Sequence, residues 1–262
     1  MSRENNEQRV ALVTGSGKGV GAGIVRVLAE NGIRCCINCN SNPAMANKLL
    51  EEVKAAGGEA FVYQCDVTKP EKIEEMVGAI IEKYGRLDIL VNNAAMQLNY
   101  YVEQYDADAI RWLWNINIGG YVRVTKACIP YLKQSPAPSI VNISSVHGKR
   151  PSTFDAGYSM TKGAIRMFTR ELSLETFSWG CRVNTVDLGG CKIEFKTGNE
   201  TGKYDAEIHS PLDAYNPDPK GITRGRAVVP TDVGNLVWFL VNETGAGING
   251  AGIRLDNGSM LR

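Results

Sequence analysis

Short apolar runs alternate along this chain with longer segments in which apolar residues recur at helical spacing. The predicted strands cover residues 10–13, 33–39, 60–65, 87–91, 139–144, 181–186 and 252–255, and the predicted helices cover residues 20–30, 43–56, 71–84, 107–132, 156–179 and 231–241. This alternation is typical of parallel strands joined by helical crossovers. Runs such as VALVTG and DILVNNA indicate strands that are buried on both faces. We therefore predict an α/β fold in which helices cover both faces of an open, doubly wound parallel sheet.

One long segment interrupts this rhythm. Residues 189–226 are rich in Gly, Pro, Lys, Asp and Asn and show no clean period. A long irregular stretch in a compact domain is usually a functional lid or a disordered insert. The chain contains no linker, internal repeat or low-complexity tract. We therefore expect one domain over residues 1–262, with a substrate lid at residues 189–226.

Charge and composition exclude several classes of partner. The formal net charge is +1, which gives no electrostatic reason to expect nucleic acid or an anionic membrane. The first residues, MSRENNEQ, are polar, and no apolar run is long enough to span a bilayer. We therefore expect a cytoplasmic protein. Two histidines without ligand spacing give no support for a metal site.

The seven cysteines do not indicate a disulfide framework, because their number is odd and their spacing irregular. Cys36 and Cys39 form a C-x-x-C string inside a predicted strand. Strand residues three positions apart point to opposite faces of the sheet. We therefore interpret these two residues as buried free thiols rather than a redox pair.

A glycine-rich loop, TGSGKGVG at residues 14–21, separates the first predicted strand from the first predicted helix. Glycines let backbone N–H groups and the positive end of a helix approach a pyrophosphate that a side chain would block. The position of the loop between a strand and a helix distinguishes it from an ordinary glycine-rich turn. We therefore predict a dinucleotide-binding site here.

The type of dinucleotide is indicated by the end of the second strand. NAD-binding units carry an acidic residue about 20 positions after the loop, where it holds the ribose 2′-hydroxyl. Residues 36–42 contain no Asp or Glu, and Lys18 lies within the glycine loop. A missing acid and a nearby cation favour NADP(H) over NAD(H).

Tyr158 and Lys162 lie four residues apart in a predicted helix, which places them on one face. An ammonium near a phenol favours the phenolate and lowers the phenol pKa from its usual value of about 10. We expect this effect, with an oxidised nicotinamide ring nearby, to bring the Tyr158 pKa toward neutrality. Tyr158 would then exchange a proton with an alcohol or a ketone.

Several motifs at characteristic spacing resemble the short-chain dehydrogenase/reductase family, and the match extends from about Arg9 to the C-terminus. The glycine loop matches T-G-x-x-x-G-x-G, and Tyr158 and Lys162 match Y-x-x-x-K. Ser145 lies 13 residues before Tyr158, and Asn117 lies 41 residues before it. The sequence also matches the family at Asp66, Val67, Asn92, Asn93, Ala94 and Gly120.

The resemblance implies a Rossmann-like sheet of about seven strands in the order 3-2-1-4-5-6-7 and a homotetramer or dimer. It implies that Tyr158 exchanges the proton and that Ser145 hydrogen-bonds the reacting oxygen. It also implies that Lys162 binds the nicotinamide ribose and lowers the Tyr158 pKa, and that Asn117 helps to hold a water in a proton relay.

The cofactor site implied by the resemblance includes catalytic Tyr158 and Lys162. Its other members are Thr14, Gly15, Ser16, Lys18, Gly19, Val20, Gly21, Asn40, Ser41, Asp66, Val67, Asn93, Ala94 and Gly189. Three positions depart from the family pattern. Ala95 replaces a glycine, Leu188 replaces the proline before Gly189, and Ile193 replaces the threonine that contacts the nicotinamide carboxamide, for which Thr197 is an alternative.

The pocket implied by the resemblance has a polar lining. We assign Gln97, His147, Glu194 and Phe195 to the substrate. These side chains favour a small polar ketone or a sugar- or polyol-like carbonyl. Within the enzyme class, a 3-oxoacyl-carrier-protein reductase is the alternative. A non-catalytic NADP(H)-binding regulator is the alternative from another class, and Ser145, Tyr158 and Lys162 argue against it.

Overall fold

The computed structural model describes residues 9–151, 155–193, 228–258 and 260, and these residues form a three-layer α/β fold. Seven parallel strands form one sheet in the order β3-β2-β1-β4-β5-β6-β7. The strands are β1 (Val10–Val13), β2 (Arg34–Cys39), β3 (Ala60–Gln64), β4 (Ile89–Asn92), β5 (Ser139–Ser145), β6 (Arg182–Leu188) and β7 (Gly252–Leu255). The predicted fold class and strand order are confirmed.

Helices cover both faces of this sheet. They are α1 (Gly19–Glu30), α2 (Pro43–Ala55), α3 (Pro70–Tyr84), α4 (Ala107–Trp114), α5 (Gly120–Leu132), α6 (Ala156–Glu175) and α7 (Pro230–Val241). Buried side chains of α1, α2 and α7 form one core, and those of α3, α5 and α6 form the other. Within the described ranges, no helix is long and apolar enough to cross a membrane.

The two cores meet the sheet at alternating residues of the same strands. Every residue of β1 is buried, and Ala11 packs into one core while Leu12 packs into the other. The same alternation separates Cys36 from Cys39, which lie in different cores as free, buried thiols. The interpretation of this C-x-x-C string as two unconnected thiols is confirmed.

The single helix predicted over residues 107–132 is wrong in detail, because its middle is a π-helical segment at Asn115–Gly119. This segment separates α4 from α5 while the chain stays helical throughout. A π segment inserts an extra residue per turn and rotates the following helix about its axis. Apolar periodicity alone does not reveal such an insertion.

The helix predicted to reach residue 179 ends earlier, at Glu175. A 3₁₀ turn at Phe177–Trp179 follows, and Gly180 closes it with φ of 77°. A positive φ is adopted readily by glycine, so the chain can leave the helix here and enter β6.

A buried chain of hydrogen bonds joins the middle of the sheet to α5 and α6. The Asn92 amide on β4 donates to the Thr125 hydroxyl at 3.0 Å and to the Asn142 side-chain oxygen at 2.9 Å. The Asn142 amide on β5 donates in turn to the Thr169 hydroxyl at 2.8 Å. Because α6 also carries Tyr158 and Lys162, these bonds fix the position of that helix on the sheet.

Replacing Thr169 with valine is expected to destabilise the protein by about 1–3 kcal/mol, since the Asn142 amide would be left buried without its acceptor. Denaturant unfolding measures the change in free energy. The control is Thr231→Val, because Thr231 is exposed at the start of α7. Equal stability of the two variants would show that the buried chain does not hold α6 in place.

Candidate active site

The glycine loop is shaped by close backbone contacts that allow no side chain. Gly15 has φ of 60°, and a Cβ atom there would lie 2.8 Å from Cα of Ala94. A Cβ atom at Gly21 would lie 2.6 Å from Cα of Ser16. The loop therefore packs directly against itself and against the segment after β4, as the resemblance implies for a nucleotide-binding turn.

Side chains beneath the loop hold it to the neighbouring strand ends. The Thr14 hydroxyl accepts hydrogen bonds from the backbone N–H groups of Asn93 at 2.9 Å and Ala94 at 3.1 Å. The Asn38 side-chain oxygen accepts from the Gly15 N–H at 2.9 Å, and the Ser16 hydroxyl accepts from the Asn38 N–H at 3.1 Å. These bonds fix the loop above the carboxyl ends of β1, β2 and β4.

Helix α1 begins at this loop without a side-chain cap on its first turn. The first N–H groups of a helix need partners, and the helix dipole makes this end positive. Gly19 and Val20 line the cavity described below, so this end of the helix faces open space. The cradle therefore fits an anionic group such as a pyrophosphate.

A cavity of about 730 Å³ extends from this loop to Tyr158 and brings most of the predicted site together. The predicted residues that line it are Gly15, Lys18, Gly19, Val20, Asn40, Ser41, Asp66, Val67, Asn93, Ala94, Gln97, Ser145, His147, Tyr158, Lys162 and Gly189. Thr14, Ser16, Gly21 and Asn117 lie behind this lining and support it. Glu194, Phe195 and Thr197 lie outside the described residues.

The cavity end near β2 is polar and lined by cationic side chains. Asn40 and Ser41 are exposed, and neither position carries an acid. Lys18 and Lys69 line the same end of the cavity, and partial burial lowers the Lys18 pKa. Asp66 accepts a hydrogen bond from the Thr68 N–H at 2.8 Å, which shapes the turn after β3.

The catalytic residues predicted from spacing converge at the other end of the cavity. The Lys162 ammonium lies 5.3 Å from the centroid of the Tyr158 ring, and the Ser145 side chain hydrogen-bonds to the Tyr158 phenol. Lys162 is only 2% exposed, and its Nζ donates to the Ile143 carbonyl at 2.9 Å. A proton donor, a hydrogen-bonding hydroxyl and a cation thus share one wall of the cavity.

The expected lowering of the Tyr158 pKa is not found in this structure. Burial raises the pKa of Tyr158 to about 12, the nearby Asp155 carboxylate raises it further, and the Ser145 hydrogen bond opposes both effects. Burial also lowers the pKa of Lys162 to about 7. The sequence-based expectation treated desolvation as strengthening the attraction of the lysine, whereas burial itself disfavours the charged form of both groups.

Asn117 is completely buried in the π-helical segment. Its side-chain oxygen accepts from the Met96 N–H at 2.8 Å, and its amide donates to the Met96 carbonyl at 2.8 Å and to the Thr161 hydroxyl at 3.1 Å. The amide therefore ties the segment after β4 to α6. These bonds use both side-chain N–H groups and one of the two lone pairs of the side-chain oxygen.

Two of the three departures from the family pattern bring apolar side chains to the cavity. Leu188 and Ile193 both line it, and Ile193 lies 3.9 Å from the position that a Cβ atom would take at Gly19. The third departure, Ala95, also lies on the cavity wall. The base of the predicted lid is held where Cys191 pairs with Val228 in a parallel bridge.

The cavity end beyond Tyr158 carries polar side chains. Gln97 donates to the Asn99 side-chain oxygen at 2.7 Å and hydrogen-bonds to Asp155. His147 lines the cavity, and its backbone N–H donates to the Ser145 hydroxyl at 3.2 Å. Asp155 is buried and caps α6 through the Tyr158 N–H, and burial raises its pKa to about 6.

Sequence reasoning missed several residues that build this site. Asn38 lies in the middle of a buried strand, and a polar residue inside an apolar run was the available signal. Tyr121 contacts the same carbonyl as Lys162, and no spacing rule marks it. Trp112 and Ile116 reach the cavity from α4 and the π-helical segment.

Within the described parts of the chain, no cluster of His, Cys, Asp and Glu could hold a metal ion.

Comparison with known proteins gives a consistent result. The sequence profile of the family described as short chain dehydrogenase matches residues 9–203. An uncharacterized oxidoreductase of Methylorubrum extorquens is 33% identical over 253 residues, covering 96% of this chain and 98% of that protein. A diacetyl reductase, (S)-acetoin forming, of Staphylococcus epidermidis is 30% identical over 259 residues, covering 97% of this chain and 99% of that protein.

A solved structure shows the same architecture. The crystal structure of a short chain dehydrogenase from Burkholderia cenocepacia in complex with NADP aligns with a TM-score of 0.83 and 27% identity. The alignment covers 96% of this chain and 98% of that chain. With the profile match over most of the sequence, these similarities show that the chain belongs to the short-chain dehydrogenase/reductase family, whose oxidoreductases act on CH–OH groups.

Proposed function

We propose that this chain is an NADPH-preferring reductase and dehydrogenase that interconverts a small polar carbonyl compound and its alcohol, with Tyr158 as the acid/base. The observation that carries the proposal is the convergence of Tyr158, Ser145 and Lys162 on one wall of the cavity that begins at the glycine loop. A proton-transferring group and a dinucleotide cradle thus face the same cavity.

The residues around the cavity are suited to hold a dinucleotide along its length. The glycine loop and the start of α1 would hold the pyrophosphate, and Asn40, Ser41 and Asp66, which line the cavity, would hold the adenosine end. Asn93, Ala94 and Gly189 line the middle of the cavity, toward Tyr158 and Lys162. When bound, the nicotinamide supplies or accepts the hydride.

Tyr158 would donate its phenolic proton to the carbonyl oxygen of the substrate, or accept one from the alcohol. Ser145 would donate a hydrogen bond to the same oxygen and hold it near the phenol. Lys162 lines the cavity with an ammonium that is anchored on Ile143, and it would hold ribose hydroxyls and stabilise negative charge on Tyr158. Asn117 positions this group by tying Met96 to Thr161.

The pKa values favour proton donation at neutral pH. Because the Tyr158 pKa is raised to about 12, the phenol is protonated and ready to act as an acid. Alcohol oxidation needs the phenolate, which forms only as the pH rises toward that value or as a bound cation stabilises it. Reduction can therefore start from the resting phenol at neutral pH, whereas oxidation first requires the phenol to lose its proton.

The polar lining beyond Tyr158 supports a small polar ketone or a sugar- or polyol-like substrate. Gln97 and His147 line the cavity, where their amide and imidazole groups would contact substrate hydroxyl or carbonyl groups. The diacetyl reductase of Staphylococcus epidermidis is named for a small polar carbonyl compound, which supports this class.

We also propose that the chain forms one domain over residues 1–262, with residues 189–226 as its lid.

Tyr158→Phe is expected to lower kcat for ketone reduction roughly 10²–10⁴-fold, because it removes the proton donor and keeps the ring. NADPH oxidation, followed with a panel from hydroxylated to bulky apolar ketones, measures this loss. Tyr131→Phe is the matched control, since Tyr131 lies on α5 and does not line this cavity. Undiminished turnover in Tyr158→Phe would contradict the mechanism, and the highest kcat/KM for bulky apolar ketones would contradict the polar substrate.

Lys18→Ala is expected to raise the KM for NADPH about tenfold and to leave the KM for NADH nearly unchanged, because an ammonium pairs with the 2′-phosphate of NADPH alone. Initial rates with each cofactor measure this difference. Lys48→Ala is the control, since Lys48 is exposed on α2 and does not line the cavity. A similar rise for both cofactors, or a wild-type preference for NADH, would refute the assignment.

Exposed apolar side chains on α6 support a homo-oligomer, a dimer or a tetramer. Met160, Met167 and Leu174 are spaced seven residues apart and are 55%, 54% and 73% exposed, and Phe177 follows at 74%. This spacing places them on one side of the helix, where a second copy would cover them.

Light scattering is expected to give a multiple of the 28.5 kDa chain mass. Leu174→Glu should shift the protein toward monomer, and a monomeric wild type would contradict the proposal.

A further inference from the structure

Lys162 has a second aromatic neighbour besides Tyr158. The Lys162 Nζ lies 5.8 Å from the centroid of the Tyr121 ring, a distance at which a cation is attracted to an aromatic face. Tyr121 lies on α5 and Tyr158 on α6, so the ammonium is approached by aromatic rings from two separate helices. Tyr121 is only 2% exposed and is among the largest fully buried side chains.

Tyr121 and Lys162 also share one hydrogen-bond acceptor. The Tyr121 phenol donates to the Ile143 carbonyl at 2.9 Å, and the Lys162 ammonium donates to the same oxygen at 2.9 Å. The last residues that pair between β4 and β5 are Asn92 and Asn142. Ile143 is the next residue of β5 after this pair. A carbonyl oxygen has two lone pairs, and these two donors use both of them.

From these contacts we propose that Tyr121 is a positioning residue for Lys162: its ring stabilises the charged form of the ammonium that the Ile143 carbonyl anchors. This inference rests on the proposed function, in which the Lys162 charge stabilises Tyr158. Tyr121 does not exchange the proton itself, because complete burial raises its pKa well above that of an ordinary phenol. It therefore remains a neutral donor.

The fraction of Lys162 that is protonated depends on contacts such as those with Tyr121. Burial lowers its pKa to about 7, so a modest change in the surroundings alters the fraction that carries charge at neutral pH. The other titratable groups around it are Tyr158 and Asp155 of the α6 start, Tyr121 of α5, and His147 after β5 on the cavity wall.

Two substitutions separate the roles of the ring and the hydroxyl. Tyr121→Leu removes both and is expected to lower kcat/KM for ketone reduction about tenfold. It should also move the pH profile, because the Lys162 ammonium would lose its proton at lower pH. Tyr121→Phe keeps the ring and is expected to retain most of the activity with a pH profile near that of wild type.

Leu132→Ala is the control for a general packing defect. Leu132 is completely buried on the same helix, in the core away from the cavity. This variant is expected to lose thermal stability but to keep the wild-type pH profile. If Tyr121→Leu changes only the melting temperature, as Leu132→Ala does, Tyr121 is a core residue and the inference fails.

A second measurement does not depend on turnover. The pH dependence of Lys162 acetylation by acetic anhydride, followed by mass spectrometry, reports the midpoint at which this amine loses its proton. The midpoint is expected to fall in Tyr121→Leu and to stay near the wild-type value in Tyr121→Phe. An unchanged midpoint in Tyr121→Leu would overturn the inference. A wild-type protein without ketone turnover would instead refute the proposed function, and the acetylation result would still decide the role of Tyr121.

Discussion

The burial of the Lys162 ammonium is the constraint on which the rest of the site depends. Removing a cation from water costs several kcal/mol unless hydrogen bonds and other contacts offset the loss. Here the Ile143 carbonyl at 2.9 Å and the rings of Tyr121 and Tyr158 surround the charged end. The same burial raises the pKa of the Tyr158 phenol and lowers that of Lys162, so both groups are held close to their neutral forms.

The parallel sheet brings these groups together because the carboxyl ends of its strands meet at one edge. Thr14 follows β1, Asn93 follows β4, and Ser145 ends β5, so the glycine loop and the serine open onto one cavity. The buried chain from Asn92 through Asn142 to Thr169 then holds α6 on the sheet. The side chains of the site therefore depend on polar contacts that run through the interior of the fold.

Local patterns in the sequence were sufficient to predict the alternation of strands and helices, the glycine loop and the Tyr158–Lys162 pair, while the strand order and the role of Ser145 were implied by the family resemblance. They were not sufficient where the outcome depends on burial or on contacts between distant segments. Tyr121 meets Lys162 only because α5 and α6 both reach the Ile143 carbonyl of β5, and the pKa of Tyr158 rises because its phenol loses water. The π-helical segment around Asn117 was missed for a related reason, since apolar spacing continues through it.

The central claim is that the Tyr158 phenol is the group that meets the reacting oxygen. A crystal structure of the protein with NADP⁺ and a substrate alcohol tests it most directly. We expect the phenol oxygen and the Ser145 hydroxyl both to lie within about 3.2 Å of the alcohol oxygen, with the Lys162 ammonium beside the nicotinamide ribose. A phenol that points away from the bound alcohol, or a dinucleotide bound elsewhere than on the glycine loop, would contradict it.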